Sequence, residues 1–335
     1  MKQKEFLAPV LIVMILGAWT LFTYWPEQPV QQPESTITGN QWSPVTGFRE
    51  VNSYPLYVAT YVADYRLDEY LRTGRYSASM IRGSPGCTCF YASGSKLYGR
   101  NFDFPANPAL LLFTHPSDGY ASVSMVDLGY FGYSLGNLPG GGSLENLATA
   151  PYMPFDGMNE AGLVVGMAAI PHAESPNDPG KVMLDEIGVI RLLLDRAATV
   201  EEALGLLGEF NVEMLDPPIH YLVADKTEES ALIEFLGGEM RVIRKTEFHV
   251  MTNFLITENN LGYAPCHRYR LVHQGLSEAQ GAVTLEEAMD LLQSASQDST
   301  IWSAVYDPVK LEVHVAMGRG YGSVHTFRLN SMEPR

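Results

Sequence analysis

Three residues in the first third of the chain have the types and spacing that nucleophilic chemistry needs: Cys87, Arg100 and Asp103. A nearby cation favours the thiolate form of a cysteine, which is the reactive form. A carboxylate can orient the group that carries the proton away from the thiol. The three residues therefore predict a cysteine nucleophile, provided that the fold brings them together.

A β-hairpin is the element expected to position them. The sequence predicts strands over residues 87–92 and 96–104, joined by a Ser-Gly-Ser turn in which Gly94 takes the positive φ of a tight hairpin. With the turn centred there, Cys87 pairs opposite Phe102, and the thiol, the guanidinium and the carboxylate share one corner. On these residues alone, an edge hairpin with a buried cysteine and a surface ion pair stays open as the alternative.

Three short motifs carry a resemblance to a known group of enzymes. Gly-Cys-Thr at 86–88, Gly-Arg-Asn-Phe-Asp at 99–103 and Gly-Met-Asn-Glu-Ala-Gly-Leu at 157–163 resemble the choloylglycine hydrolase superfamily of N-terminal-nucleophile amidases. That group includes penicillin V acylases, the isopenicillin N acyltransferase type and acid ceramidase. In such enzymes the cysteine becomes the first residue of a mature chain. The resemblance implies an α+β fold, namely a four-layer αββα sandwich.

The resemblance also implies roles for five residues. Cys87 is the nucleophile, and its own α-amino group, once freed, is the base. Asp103 accepts a hydrogen bond from that amine, and Arg100 lowers the pKa of the thiol. Asn253, at the end of a predicted strand, is the expected oxyanion donor. Arg268 resembles the superfamily's other active-site arginine. A loop-capping role for Asn253 stays open, because asparagine is common at strand ends.

Neighbouring residues offer alternatives to these assignments. Cys89 adds a second thiol on the same strand face, but Gly86 precedes Cys87, and a small residue suits the strained peptide that self-cleavage attacks. Arg270 is the less favoured match for the second arginine. Asn159 is expected to form a turn before Gly162.

Composition limits the partners. The chain has 335 residues, 46% of them hydrophobic, and a formal net charge of −16, which argues against a nucleic acid or an anionic membrane surface as the main partner. A small-molecule acyl amide is the expected substrate. The sequence predicts no cofactor, because the glycine run at 140–142 lacks the Lys-Ser/Thr of a nucleotide site.

No metal site is predicted either. Cys87, Cys89, Cys266 and His267 have ligand types that suit zinc, but the single residue between the first two thiols is tighter than a zinc finger normally uses. A disulfide between Cys89 and Cys266 is the alternative that spacing cannot decide.

The amino terminus predicts a membrane anchor. Residues 7–25 are apolar but for two threonines, and two lysines precede them. The length of this segment matches the ~20 residues that a spanning helix needs. The bulky flank lacks a small-x-small cleavage site, so we expect an uncleaved transmembrane helix with the catalytic domain outside the cytoplasm. Secretion after signal cleavage is the alternative.

The predicted organisation has four parts: an anchor or signal segment at 1–26, a tether at 27–48, a pro-segment or small subunit at 49–86, and a catalytic domain at 87–335. Apolar spacing predicts a helix over 54–74, stopped by Gly74. Further helices are expected at 184–197, 200–210, 268–275 and 284–294.

These observations predict cysteine-dependent hydrolysis of a linear amide after autocatalytic exposure of Cys87. The alternatives are an acyltransferase of the isopenicillin N type and an inactive, surface-anchored binding protein on the same scaffold. The processed fragments are expected to stay together as a heterodimer, and a homo-oligomer is left open.

Overall fold

A computed structural model describes residues 43–74, 86–140, 144–244, 247–259 and 265–329. The anchor predicted at 7–25 and most of the tether lie outside these residues, and both stay predictions. No helix in the described ranges is long and apolar enough to cross a bilayer.

The described residues form strands and α-helices in grouped runs, which confirms the mixed helix–sheet class. The strands are β1 Val45–Asn52, β2 Leu56–Tyr61, β3 Gly86–Ala92, β4 Leu97–Asp103, β5 Ala109–Thr114, β6 Ser122–Asp127, β7 Asp156–Asn159, β8 Val164–Ala169, β9 Met183–Asp185, β10 Asn211–Glu213, β11 Ile219–Ala224, β12 Ser230–Leu236, β13 Glu239–Arg244, β14 Phe248–Met251, β15 Thr300–Asp307, β16 Glu312–Met317 and β17 His325–Arg328. The α-helices are α1 Leu67–Thr73, α2 Gly188–Arg196, α3 Val200–Leu207, α4 His267–Glu278 and α5 Leu285–Ser294.

Two large sheets carry the fold. One has nine strands in the order β1-β2-β5-β6-β7-β8-β11-β12-β13, and the other has six in the order β14-β3-β4-β15-β16-β17. Neighbouring strands are antiparallel except β2 and β5, which run parallel. The short strands β9 and β10 pair separately.

The two sheets pack face to face between helices. β3 of the six-stranded sheet contacts β8 and β11 of the nine-stranded one. Helices α2 and α3 contact the nine-stranded sheet, whereas α4 and α5 contact the six-stranded sheet. The strands that line the interior are buried along their full length, as expected of sheets covered on both faces. The order of layers is helix, sheet, sheet, helix.

The nucleophile hairpin has the predicted register but not the predicted turn. β3 and β4 pair antiparallel with Cys87 opposite Phe102. The residue at positive φ is Lys96, at 60°, rather than Gly94. Gly94 instead leaves room for a close backbone contact. Its N–H donates to the carbonyl oxygen of Gly281, and a Cβ on residue 94 would lie only 3.1 Å from that oxygen.

The helix predicted over 54–74 is wrong for its first half. Residues 56–61 form β2, every residue of which is buried, and only residues 67–73 form the helix α1. A parallel strand that is covered on both faces has no polar alternation, so its apolar run mimics part of a helical pattern. Gly74 does end α1, in the left-handed conformation at φ 66°.

The remaining helices follow their local signals. Thr284 and Glu287 form the predicted capping box of α5, and Thr199 accepts the N–H of Glu202 at the start of α3. α2 begins at Gly188, later than predicted, because residues 183–185 form β9. Residues 45–48 of the predicted tether belong to β1.

Candidate active site

Cys87 lies at the start of β3 with both of its backbone polar groups bound by side chains from distant parts of the chain. Its N–H donates to Oδ1 of Asn253 at 2.8 Å, and its carbonyl accepts from Nη1 of Arg268 at 2.5 Å. The residue is fully buried. The loop after β14 and the start of α4 therefore converge on the peptide units that flank the candidate nucleophile.

The thiol of Cys87 lies in a poorly hydrated environment with one strong cationic influence. Burial raises its pKa to about 12, because a thiolate loses solvation there; Arg100 opposes this more than any other group, and Arg268 adds a smaller lowering effect. With residue 86 still attached, the sulfur is thus held as a neutral thiol at neutral pH.

Asp103 lies opposite Gly86, one position from the nucleophile along the hairpin ladder. Its carboxylate accepts hydrogen bonds from Nε2 of Gln297 at 2.6 Å and from the hydroxyl of Thr300. Burial raises the pKa of Asp103, while these two donors and Arg268 partly offset the increase. A Cβ on Gly86 would lie 3.2 Å from the Cβ of Asp103, so the residue before the nucleophile is tightly enclosed.

Arg100 is fully buried and spans the two sheets. Its Nε donates to Oδ2 of Asp156 on β7 at 3.0 Å. Its Nη1 donates to Sγ of Cys89 at 3.1 Å and to the carbonyl of Met167. Its Nη2 is buried with no hydrogen-bond partner among the described residues. The guanidinium therefore contacts the second thiol directly and acts on Cys87 through its charge.

Asn253 faces Cys87 with its oxygen, not its nitrogen. Oδ1 accepts from Cys87 N–H and, at 2.7 Å, from Nη2 of Arg268, while Nδ2 donates to the carbonyl of Ala169 at 2.8 Å. The sequence predicted an N–H directed towards the thiol. Because both neighbours are donors, the atom that meets them must be the acceptor.

Arg268 is the arginine that reaches the site, as the sequence predicted. Besides Cys87 and Asn253 it contacts Oγ1 of Thr88 at 2.8 Å and Oδ2 of Asp103 at 3.4 Å. Arg270, two residues later on α4, is exposed. Arg268, the second residue of α4, therefore reaches the strand that carries Cys87, whereas Arg270 lies at the surface.

Asn159 forms a turn, also as predicted. Its Oδ1 accepts the N–H of Leu163, and its Nδ2 donates to the carbonyls of Leu194 and Ala197 near the end of α2. These contacts join the β7–β8 turn to the neighbouring helix. All three cysteines are free thiols, so Cys89 and Cys266 are not joined.

Sequence reasoning missed the residues that hold the charged groups in place. Asp156 binds Arg100 and accepts from Nε1 of Trp302 at 3.1 Å and from the hydroxyl of Tyr306. Asp103 is held by Gln297, which lies just before β15, and by Thr300, the first residue of β15. Asp156 gave one usable signal, because it stands directly before the Gly-Met-Asn-Glu-Ala-Gly-Leu motif at 157–163. The partners of Asp103 gave none.

The sequence profile of the linear amide C–N hydrolases, choloylglycine hydrolase family, matches residues 87–262, more than half of the chain. The chain belongs to this family. Its matched region begins at Cys87 and ends beyond Asn253. Membership in the choloylglycine hydrolase family assigns the chain to enzymes that hydrolyse linear amide C–N bonds. No curated protein matches the chain significantly.

Two solved structures of one enzyme share the fold of this chain with TM-scores above 0.5. A cysteine-to-alanine mutant of conjugated bile acid hydrolase from Clostridium perfringens superposes with a TM-score of 0.54 at 15% identity, covering 74% of this chain and 93% of that one. An arginine-to-leucine variant of the same enzyme gives 0.51 at 14% identity, with the same coverages. Penicillin V acylase from Agrobacterium tumefaciens gives 0.43 at 18% identity, covering 72% and 78%.

Proposed function

We propose that the protein is a cysteine amidohydrolase of linear acyl amides that uses Cys87 as its nucleophile after cleavage of the Gly86–Cys87 bond. The observation that carries the proposal is the convergence on Cys87: Asn253 binds its nitrogen, Arg268 binds its carbonyl, and Arg100 is the strongest influence favouring its thiolate. Family membership supports the amide bond as the target.

The first step of the proposal is self-cleavage. Sγ of Cys87 attacks the carbonyl carbon of Gly86, the C–N bond breaks, and the proton from sulfur passes to the nitrogen that becomes the α-amine. Water then hydrolyses the resulting thioester, which leaves a carboxyl group on Gly86 and a free thiol on Cys87. The step is required because an amide nitrogen is not basic at neutral pH.

The same groups then act on the substrate. The α-amine accepts the thiol proton as sulfur attacks the acyl carbonyl, and it returns that proton to the leaving amine. Oδ1 of Asn253 accepts a hydrogen bond from the α-amine, as it accepts one from the peptide N–H before cleavage. Asp103 and Arg268 supply the charges beside the amine and fix the groups around it. Water releases the acyl group from sulfur as a carboxylic acid.

The amino-terminal fragment stays with the enzyme in this proposal. β2 pairs with β5 over six residue positions, so backbone hydrogen bonds join the two fragments. The hydroxyl of Tyr65 donates to Oδ2 of Asp195 at 2.6 Å, and that of Tyr70 donates to Oδ2 of Asp185 at 2.5 Å. These contacts support a heterodimer held by a sheet as well as by a helix.

Two cysteine variants test the proposal. Cys87→Ala should remain one intact chain and be inactive against a panel of acyl p-nitroanilides that differ in chain length and aromaticity. Cys89→Ala, the matched control on the same strand face, should still be cut after Gly86. Intact mass and amino-terminal sequencing read the result. Full activity with residue 86 still joined to residue 87 would overturn the mechanism.

A further inference from the structure

A buried histidine–glutamate pair lies directly behind the segment that carries Asn253. His220 is on β11 and Glu234 on β12, both in the nine-stranded sheet, and both side chains are completely inaccessible to solvent. Nδ1 of His220 lies 3.2 Å from Oε1 of Glu234, and Nε2 lies 2.8 Å from the carbonyl oxygen of Thr252. The second contact fixes the residue immediately before Asn253.

Glu234 holds the other end of the same segment. Oε1 accepts the N–H of Ile256 at 2.6 Å, and Oε2 accepts the N–H of Thr257 at 3.1 Å and its hydroxyl at 2.5 Å. With His220 this makes four donors on one carboxylate, which is its full acceptor capacity. The segment 252–257 is thus tied at both ends to a sheet other than the one that carries Cys87.

The partners of the pair are all internal. The Thr252 carbonyl can only accept, so Nε2 of His220 donates to it. Burial raises the pKa of Glu234, but the hydrogen bonds from His220, Thr257 and Ile256 outweigh that effect and hold the pKa below its usual value. Removing either partner leaves a buried carboxylate or carbonyl unsatisfied.

We propose that His220 and Glu234 are positioning residues for the amidase reaction: they lock the 252–257 segment so that Asn253 meets the nitrogen of Cys87. The inference rests on the proposed function, which gives Asn253 its role. The pair touches neither Cys87 nor any reacting atom in the described residues. Its effect passes through Thr252, which His220 binds, and through Ile256 and Thr257, which Glu234 binds.

The two reactions in the proposed function supply independent readouts. Self-cleavage needs no added substrate and is followed by intact mass after refolding, and hydrolysis is followed with the acyl p-nitroanilide that the enzyme cuts best. His220→Phe keeps a ring at this position but removes both ring nitrogens, and with them the contacts to Glu234 and to the Thr252 carbonyl. It should lower the self-cleavage rate and kcat roughly 10- to 100-fold with KM little changed, as expected of a misplaced group.

Conservative variants separate positioning from simple loss of packing. His220→Gln can place its amide nitrogen near Nε2 and should recover most of the rate. Thr257→Val removes one donor to Glu234 and should give a smaller loss, which keeps the test usable if His220→Phe does not fold. His314→Gln is the matched control, because His314 is a buried histidine that bonds Thr326 on the far strands of the other sheet, and it should leave both rates unchanged.

A double-mutant cycle decides the inference. In an Asn253→Ala background, His220→Phe and Thr257→Val should cost nothing further, because the group that they position is gone. Multiplicative losses, or single variants with unchanged rates, would overturn the positioning role and leave the proposed function standing. An Asn253→Ala protein with normal rates would instead refute the role given to Asn253, and with it the reason for the lock.

Discussion

Two arginine–aspartate pairs flank Cys87, the proposed nucleophile, and they differ in what surrounds them. Arg100 and Asp156 are both completely buried between the sheets, 3.0 Å apart. Arg268 and Asp103 are 3.4 Å apart, and the arginine side chain keeps 16% of its surface exposed. The buried pair joins two strands from different sheets, whereas the open pair joins a helix start to the nucleophile hairpin.

The contrast teaches how one fold separates stability from chemistry. Every contact of Asp156 is internal, namely Arg100, Trp302 and Tyr306, so its charge is compensated inside the core. Arg268 instead divides its donors among groups around Cys87. We therefore expect loss of the enclosed pair to lower the free energy of unfolding as well as the rate, because Arg100 also favours the Cys87 thiolate, and loss of the open pair to lower mainly the rate.

The largest expected effect is on stability, from Arg100→Met. This change leaves the Asp156 carboxylate buried without its cation and should lower the free energy of unfolding by about 3–5 kcal/mol. Arg268→Met, the same substitution at the more exposed pair, should lower it less, because Asp103 keeps the hydrogen bonds of Gln297 and Thr300. Urea unfolding of both variants in the Cys87→Ala background makes the comparison without interference from cleavage. Equal losses would remove the distinction between the pairs.

The next effect is on rate, from Arg268→Met. Loss of its contacts around Cys87 should slow self-cleavage and lower kcat by roughly 10²- to 10³-fold, the usual cost of removing one charged donor from an active site. Arg270→Met is the control on the same helix, since that side chain is exposed, and it should behave as wild type. If both variants lose rate equally, the loss comes from disruption of helix α4 and not from the contacts around Cys87.

The effect that is smallest for each unit of pH concerns a buried carboxyl that has no ion pair among the described residues. Burial raises the pKa of Glu186 to about 8, and the N–H of Leu215 only partly offsets this. The folded state therefore holds a proton that the unfolded chain releases near its ordinary value. Stability should fall as pH rises from about 4.5 to about 8, by up to about 1.4 kcal/mol for each unit of pH.

Glu186→Gln removes this titration and should flatten the dependence over the same range. Thermal or urea unfolding of the two proteins at several pH values measures it. If stability depends on pH with the same slope in both proteins, Glu186 is ionised in the folded state. Burial without an ion pair would then not be enough to raise its pKa.

Patterns among residues close in sequence predicted much of the candidate site. The hairpin register followed from the turn position, and so placed Cys87 opposite Phe102, while Thr284 and Glu287 marked the start of a helix. Arg268 was found by resemblance, and its reach to Cys87 depends on α4 beginning at His267. These features depend on residues close in sequence or on a motif.

The missing parts depend on contacts between distant residues. Asp156 is 56 positions from Arg100, and Gln297 is 194 positions from Asp103, so no local pattern relates them. The strand β2 was predicted to be helical because its partner β5 is equally apolar and each paired residue lies 53 positions later. The orientation of the Asn253 amide followed only from knowing that both of its neighbours are donors.

The parallel pairing of β2 with β5 has a consequence for how the enzyme can be made. β5, Ala-Leu-Leu-Leu-Phe-Thr, is wholly buried because β2 lies along its outer side. A gene that encodes a start methionine directly before Cys87 would supply the free amine once that methionine is removed, without self-cleavage. It would leave β5 as an open, apolar sheet edge. Such edges recruit other chains, so that protein should aggregate unless residues 43–74 are supplied in trans.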